Sequence, residues 1–482
     1  RTNYFETVPS NQLEKMLWLE ADRMGFLLDA VTQKKFEIQR ATVKNERGQN
    51  YDNRPYGLLQ ENLAKNMYAY GHPYSWLTIG YIEDLNRVNV QDLKNFFLRW
   101  YGPNNAVLTV GGDVNTKDVL KMAEKYFGSI PQCPKVEKTI LPAPKLDKDR
   151  YVSMTDQYAK VPLLVCAMPS VPRYHPDEMA LDCLAEILGG DNNSILYQNL
   201  VKTQKALSAN AQNPTDELAG NFQIIVMPKP GTPLSDVEKE VRKAIAEFDK
   251  TGVSDDAINK FKNAREAQEI YSLESVSGKV SKLAASQTFT GNANYIKKEL
   301  QDLKSLSKAD VIRVYNQYIK NKPMVIMSVL TKGSENLIAA KDNYTIDEAG
   351  YKAPNYGYNG LKYVKAKDNF DRSKVPGSGA NPIVKVPPFK IIEKNNIKMI
   401  SSKSDETPTV VISLDFKGGR LLEQNNLKQI GIGKLFANMM EEDTKHHSAE
   451  ELSVMLDKLG SSINFSTDLD ATNVTVRCLK KN

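Results

Sequence analysis

Residues 32–55 read TQKKFEIQRATVKNERGQNYDNRP, and this stretch decides how the first part of the chain folds. The pattern predicts a helix, because Thr32 is a suitable N-cap and no proline or glycine follows it until Gly48. Four residues recur at steps of three and four and therefore share one helix face: Phe36, Gln39, Val43 and Glu46. A carboxylate on an inward face needs a metal, an arginine or several N–H donors as its partner. The alternative is a solvated Glu46 at the end of the helix.

Composition excludes several classes of protein. A length of 482 residues corresponds to about three domains. The chain is 41% hydrophobic and 25% charged, which is ordinary for a globular protein with real cores. A net charge of +6 is slight for this length and argues against a dedicated nucleic-acid binder. No apolar segment approaches the roughly 20 residues of a membrane helix.

The cysteines and histidines form no metal motif of their own. The four cysteines are far apart with no Cys-x-x-Cys pair, so neither a cysteine-based zinc site nor a disulfide framework is indicated. None of the four histidines lies in a His-Glu-x-x-His or His-x-x-Glu-His arrangement. The chain opens without methionine on RTNYFETVP, whose alternation predicts a strand over residues 1–8. We therefore expect an internal fragment of a longer protein.

Two segments repeat one plan. LNRVNVQDLKNFFLRWYGPNNAVLTV starts at Leu85, and LKSLSKADVIRVYNQYIKNKPMVIMSV starts at Leu303. Each predicts a capped helix start carrying Asp92 or Asp310, a polar turn and then an apolar strand. The first of these strands would span residues 106–110. Two copies of one domain architecture are therefore expected, and strand patterns after residue 390 begin a third.

The fold class is predicted as α+β, with repeated domains of a mostly antiparallel sheet backed by helices. Five segments divide the chain: a first domain over 1–131, a linker over 132–148, a second domain over 149–331, an arm between two halves over 332–389, and a third domain over 390–482. The arm is rich in Asn, Gly, Pro, Lys and Tyr and shows little periodicity.

The ordered blocks TNYFETVP, VKNERGQNYDNRPYG, GHPYSWLTIG, YGPNNAVLTVGGD, YFGSIP and LGGDNNSILYQNL resemble the insulinase/pitrilysin zinc peptidases, which include the mitochondrial processing peptidase. The resemblance covers nearly the whole chain and implies the processing-peptidase-like metallohydrolase fold. It also implies Zn²⁺ held by a His-x-x-Glu-His motif and by a glutamate of a later helix. Glu46 matches that third ligand. The motif itself, including the general-base glutamate, is absent and would lie upstream of Arg1.

Two further positions depart from the family pattern. Gln39 stands where relatives often carry a second glutamate, so a contact supporting the metal ligands is expected to be weaker. In the third domain, Lys434, Ala437 and Asn438 stand where the resemblance places His, Glu and His. That domain is therefore expected to resemble the inactive half of the family.

Two functions remain open at this point. The resemblance favours a segment of a zinc metallo-endopeptidase that hydrolyses peptides or small unfolded proteins in an enclosed chamber, with this chain inactive alone. The alternative is a non-catalytic homologue that serves as a scaffold or peptide-binding subunit. The expected partners are a peptide substrate and either the remaining parts of the parent chain or a partner subunit, without nucleic acid or membrane segment. The resemblance also implies an extracytoplasmic, bacterial location.

Overall fold

The computed structural model describes residues 1–481, and its first region, residues 1–131, is helical. Helices form where amphipathic spacing and caps coincide: α1 (Leu13–Ala30), α2 (Gln33–Arg47), α3 (Leu59–Met67), α4 (Ile82–Arg87), α5 (Val90–Trp100) and α6 (Thr116–Phe127). The predicted cap of α2 is confirmed, because the Thr32 side chain accepts a hydrogen bond from the Lys35 amide. A π-helical turn, Gly48–Asp52, ends this segment.

The two strands predicted in the first region are wrong. Residues 1–9 and 105–111 carry no β-ladder, although the backbone at Ala106 is extended. A strand is stabilised by cross-strand hydrogen bonds and side-chain pairs, and no described strand pairs with either stretch to supply them. An alternation of apolar and polar residues is therefore not sufficient to form a β-strand at these two stretches.

The second region, residues 149–331, contains a complete sheet with helices. Its elements are β1 (Arg150–Asp156), β2 (Leu163–Ser170), α7 (Glu178–Gly189), β3 (Ala206–Gln212), β4 (Gly220–Pro228), α8 (Leu234–Thr251), α9 (Asp255–Ser272), α10 (Val276–Thr290), α11 (Ile296–Ser305), α12 (Lys308–Val314) and β5 (Val325–Thr331). The strand order is β1-β5-β2-β4-β3, and only the β1–β5 pair is parallel. The mostly antiparallel sheet is as predicted.

Both faces of this sheet are buried, as the two-residue period of β5 illustrates. Val325, Met327 and Val329 pack with Leu63 of α3, which lies on one face. The intervening Ile326 and Leu330 belong to the large core built with helices such as α7, α8 and α12 on the other face. Helix α3, which belongs to the first predicted domain, therefore shares its core with the second.

The repeat is visible at two helix starts. At α5, Asn89 and Asp92 form a capping box, and at α12, Ser307 and Asp310 form the same box. In each box the N-cap side chain accepts a hydrogen bond from the backbone amide of the third helical residue, which is the aspartate. The side chain of that aspartate accepts a hydrogen bond from the backbone amide of the N-cap residue. The predicted capped starts are therefore confirmed.

The predicted arm has no strand and no helix beyond the short turn Glu335–Leu337, up to the strand that begins at Phe389. It lies across the first region instead of standing free. Arg99 donates to the Tyr356 carbonyl at 2.5 Å, and the Trp100 indole donates to the Tyr358 hydroxyl at 2.9 Å. Further along, the Trp18 indole donates to the carbonyl of Arg372 at 3.1 Å.

The third region is a looser assembly. Its elements are β6 (Phe389–Lys394), β7 (Ile397–Ser402), β8 (Thr409–Lys417), α13 (Ile432–Met439), α14 (Ala449–Leu459), β9 (Ser462–Thr467) and β10 (Ala471–Leu479). They form a β6–β7 hairpin and an antiparallel β8-β10-β9 sheet. Helix α14 packs against α9 of the second region. Across residues 1–481, no helix is both long enough and apolar enough to cross a membrane.

Candidate functional site

Glu46 is the penultimate residue of α2, and its side chain is exposed. Phe36 and Arg47 are buried, and their separation of about three helical turns places both on the inward side of α2. The prediction that Glu46 shares the inward face with Phe36 is therefore wrong for the described residues. Among them, Glu46 has neither a hydrogen bond nor an ion pair. Its role as a metal ligand stays a prediction.

Gln39 lies on the same helix and is also exposed. Its amide makes no hydrogen bond to another described residue. Glu37, two positions earlier, receives a hydrogen bond from the Gln33 amide at 2.7 Å and pairs with Arg40 at 3.2 Å. The predicted supporting role of Gln39 stays a prediction.

The residue after Glu46 is the best-anchored side chain of α2. The Arg47 guanidinium donates to a carboxylate oxygen of Glu61 at 2.8 Å and to the carbonyl oxygen of Gly80 at 2.6 Å. It also lies 3.3 Å from an Asp52 carboxylate oxygen. Arg47 is only 6% exposed and Glu61 only 4% exposed, so this is a buried ion pair.

The protonation of this pair follows from its geometry. Burial raises the pKa of Glu61, but the hydrogen bonds from Arg47 and Lys65 outweigh burial and leave that pKa below its ordinary value. Burial likewise opposes the charge of Arg47, whose pKa is nevertheless raised by Glu61 and Asp52. Both groups are charged at neutral pH. The pair therefore anchors the end of α2, and with it the backbone that carries Glu46.

Sequence reasoning missed this anchor. Its signal was the charge pattern of α3, where Glu61 and Lys65 are four residues apart, and their ion pair at 3.0 Å is visible in the structure. The choice of Arg47 as the buried partner had no comparable sequence signal, because arginine is usually exposed.

Lys434, Ala437 and Asn438 all lie on α13 of the third region. Ala437 is buried at 2% exposure, whereas Lys434 and Asn438 are exposed. The methyl group of alanine cannot act as a general base, and neither lysine nor asparagine is among the usual zinc ligands. This helix therefore lacks the His, Glu and His side chains that a zinc peptidase would need at these three positions.

The described residues do not fit a complete zinc site. A catalytic zinc takes three protein ligands from His, Cys, Asp or Glu and keeps one open position. Within residues 1–481, no group of three or more such side chains is arranged to hold a metal ion. Glu46 can supply at most one carboxylate ligand to such a site.

His72 has a structural role at the seam between the first two regions. Its Nδ1 accepts a hydrogen bond from the Tyr74 amide at 3.0 Å, and its ring stacks on Tyr68 at 4.7 Å. Burial lowers the pKa of His72 and raises the pKa of Tyr68 to about 12. The Tyr74 hydroxyl accepts from the Leu218 amide of the second region. These contacts make His72 part of the packing between the first two regions.

Two family models match the chain. Residues 87–265 match the model described as the peptidase M16 inactive domain, and residues 398–482 match insulinase, peptidase family M16. The chain is 30% identical over 329 residues to the zinc protease PqqE of Helicobacter pylori, covering 66% of this chain and 72% of that protein.

Solved structures agree with this relationship. A protease from Helicobacter pylori has a TM-score of 0.59 and 27% identity, with 67% of this chain and 77% of that chain covered. The periplasmic protease PqqL from Escherichia coli has a TM-score of 0.55 over 99% of this chain and 54% of that chain. At 15% identity, the likeness to PqqL concerns the fold alone. The coverage and identity with PqqE carry the assignment: the chain belongs to the M16 or insulinase family of peptidases.

Proposed function

We propose that this chain is part of a zinc metallo-endopeptidase that hydrolyses peptides or small unfolded proteins in a chamber enclosed between two halves. Glu46 is the ligand that this chain contributes. The two histidine ligands and the general-base glutamate come from a segment outside the 482 residues. The observation that carries the proposal is an anchored but unpartnered carboxylate: Arg47 holds the end of α2, while Glu46 faces away from the described core.

The electrostatics around α2 support this assignment. A metal ligand must be ionised, and it must be held so that ordering costs little on binding. The buried Arg47–Glu61 pair neutralises its own charges and leaves the Glu46 carboxylate without a competing cation in the described chain.

The test compares zinc content in the chain extended by the upstream segment that the proposal requires. The wild-type polypeptide is expected to bind about one zinc per chain, since one site has three protein ligands. Glu46→Gln should sharply lower both zinc content and chelator-sensitive peptide cleavage. Glu37→Gln is the matched control, because it is an exposed carboxylate of the same helix, and it should leave both unchanged. A zinc-free wild type, or a Glu46→Gln variant with full zinc, would overturn the proposal.

The second candidate is a non-catalytic homologue that binds peptides or a partner subunit. It is favoured by the match of residues 87–265 to an inactive-domain model and by the absence of ligand chemistry at Lys434, Ala437 and Asn438. This candidate requires peptide binding without zinc and without cleavage. The zinc measurement on the extended chain therefore separates the two.

A further inference from the structure

A cleft with a volume of about 710 Å³ lies between the first region and the arm. One wall comes from residues 65–87, and the other comes from arm residues 346–351. The volume exceeds that of one side chain and falls in the range of pockets that hold ligands of a few residues. The arm therefore helps to form a binding cavity in addition to connecting parts of the chain.

Aromatic rings form much of the cleft surface. Tyr70, Trp76 and Tyr351 line it and are 44%, 39% and 43% exposed. Tyr70 and Tyr351 meet edge to face with ring centroids 5.2 Å apart, so the arm closes the aromatic wall. The Tyr351 ring also lies against Gly71, where a side chain would collide with it. The close approach at Gly71 thus allows the arm to dock.

The charges of the cleft do not balance locally. Lys65 is paired with Glu61 at 3.0 Å, and Arg87 is paired with Asp84. The two remaining carboxylates of the lining, Glu83 and Glu348, have no ion pair within residues 1–481. Each cation of the lining is therefore already matched, whereas two anions are not.

We propose that this cleft binds an arginine or lysine side chain of an extended peptide. Exposed aromatic faces attract guanidinium and ammonium groups through their quadrupoles. Glu83 and Glu348 would accept charge-assisted hydrogen bonds from the same group. The remaining volume accommodates the peptide residues on either side of the basic one. A neutral apolar peptide can contact the aromatic rings, but it leaves the Glu83 and Glu348 carboxylates without an ion pair.

Two hydrogen bonds hold the arm wall against the first region. Arg99 and Trp100 hold the arm at Tyr356 and Tyr358, close to Tyr351 in sequence. A preformed wall lowers the ordering cost of binding. The cleft contains no residue of the proposed zinc site, so peptide binding here does not require zinc. Its success or failure is independent of the proposed peptidase activity.

The test measures binding by fluorescence anisotropy, using a labelled hexapeptide with one central arginine. The matched probe carries citrulline at that position, which keeps the shape and removes the charge. The arginine peptide is expected to bind about tenfold more tightly than the citrulline peptide. The uncharged citrulline side chain can make neither the cation–π contact nor the ionic contact. Glu83→Gln and Glu348→Gln should each weaken binding about threefold, as expected for solvent-accessible ion pairs.

The control variant is Glu137→Gln, which alters an exposed carboxylate outside the cleft and should bind like the wild type. Trp76→Leu should weaken binding of the arginine peptide, whereas Trp76→Phe should retain most of it because a ring remains. Circular dichroism verifies that each variant is folded. Equal affinity for the two peptides would overturn the proposal, and so would wild-type binding by the Glu83→Gln/Glu348→Gln double variant. Free arginine amide that binds as tightly as the peptide would overturn the peptide assignment.

Discussion

The second and third regions are built from strands of similar apolar character, yet they differ in how those strands are covered. Every residue of β5 in the second region is buried, and so is nearly every residue of β2. In the third region, all residues of β6 and β7 are exposed, and β8 is exposed at every position but its first. The difference lies in the neighbouring elements, because the second sheet has helices on both faces.

The comparison shows that an apolar strand pattern reports a tendency to pair and says little about burial. Val411, Leu414 and Phe416 of β8 are 57%, 46% and 56% exposed, although each would suit a core. Helix α13 adds exposed Leu435 and Phe436 to the same region. Exposed apolar surface of this kind is typical of a face that packs against another element or chain. We expect the third region to be less stable than the second.

The largest expected effect comes from truncating matched phenylalanines. Phe222 of β4 is fully buried, so Phe222→Ala should lower the local free energy of unfolding by about 3–5 kcal/mol. Phe416→Ala removes the same group from the exposed face of β8 and should cost less than about 1 kcal/mol. Hydrogen exchange of peptides from β4 and β8 measures both local free energies. Similar losses at the two sites would mean that β8 is covered in solution.

A smaller effect concerns carboxylates in the same two regions. Burial raises the pKa of Asp182 on α7 to about 6, and a hydrogen bond from Asn213 only partly offsets it. In the unfolded state the Asp182 carboxyl loses its proton near pH 3.8, whereas in the folded state it keeps the proton up to about pH 6. The folded state therefore binds more protons across this window, and Asp182 lowers stability as pH rises through it.

Asp182→Asn should remove this pH-dependent cost. We expect the variant to be more stable than the wild type at pH 7 by on the order of 1–3 kcal/mol, with little gain at pH 4. The new amide adds a donor near the buried Asn213 Oδ1, which has no hydrogen-bond partner within residues 1–481. Urea denaturation at several pH values measures the difference. Asp415→Asn on exposed β8 is the matched control and should show no such pH-dependent gain; a gain there equal to that at position 182 would contradict burial as the cause.

The same physical distinction explains how much of the structure could be predicted from the sequence. Local signals were sufficient for the cap at Thr32 and for the capping boxes at Asp92 and Asp310, because these contacts lie within one helical turn. The repeated strand pattern succeeded over Val325–Thr331, where β1 and β2 flank the strand. It failed over residues 106–110, where no described neighbour supplies a ladder.

Long-range contacts were less accessible to prediction. The buried Arg47–Glu61 pair joins residues on separate helices, and its signal is indistinguishable from ordinary surface charge. The arm between residues 332 and 389 was predicted as irregular, which is confirmed, but its docking on the first region was not foreseen. The start of α10 is a local feature by comparison, because the Ser275 side chain caps it by accepting a hydrogen bond from the Gly278 amide.

The smallest expected effect concerns the contact between the two compared regions. Among residues 1–481, six ion pairs cross from the second region to the third: Lys202–Glu450, Lys260–Asp457, Lys279–Glu406, Lys458–Asp256, Arg477–Glu274 and Lys481–Glu266. Most of these side chains are well exposed, and an exposed pair contributes at most about 1 kcal/mol and is screened by salt. Lys458→Ala should therefore weaken docking of α14 only slightly.

Salt should have a larger effect on this contact than the single substitution, because it screens all six pairs together. We expect 1 M NaCl to increase hydrogen exchange and proteolytic cleavage in α14, while β2 and β4 remain protected. Lys239→Ala is the control, since its pair with Asp236 lies within the second region. If salt left α14 protected, the small apolar contact around Ala267, which is 2% exposed beneath Gly460, would have to hold the third region in place. The sheets of the second and third regions would then unfold as one cooperative unit. In that case the difference in local free energy of unfolding between Phe222→Ala and Phe416→Ala would be smaller.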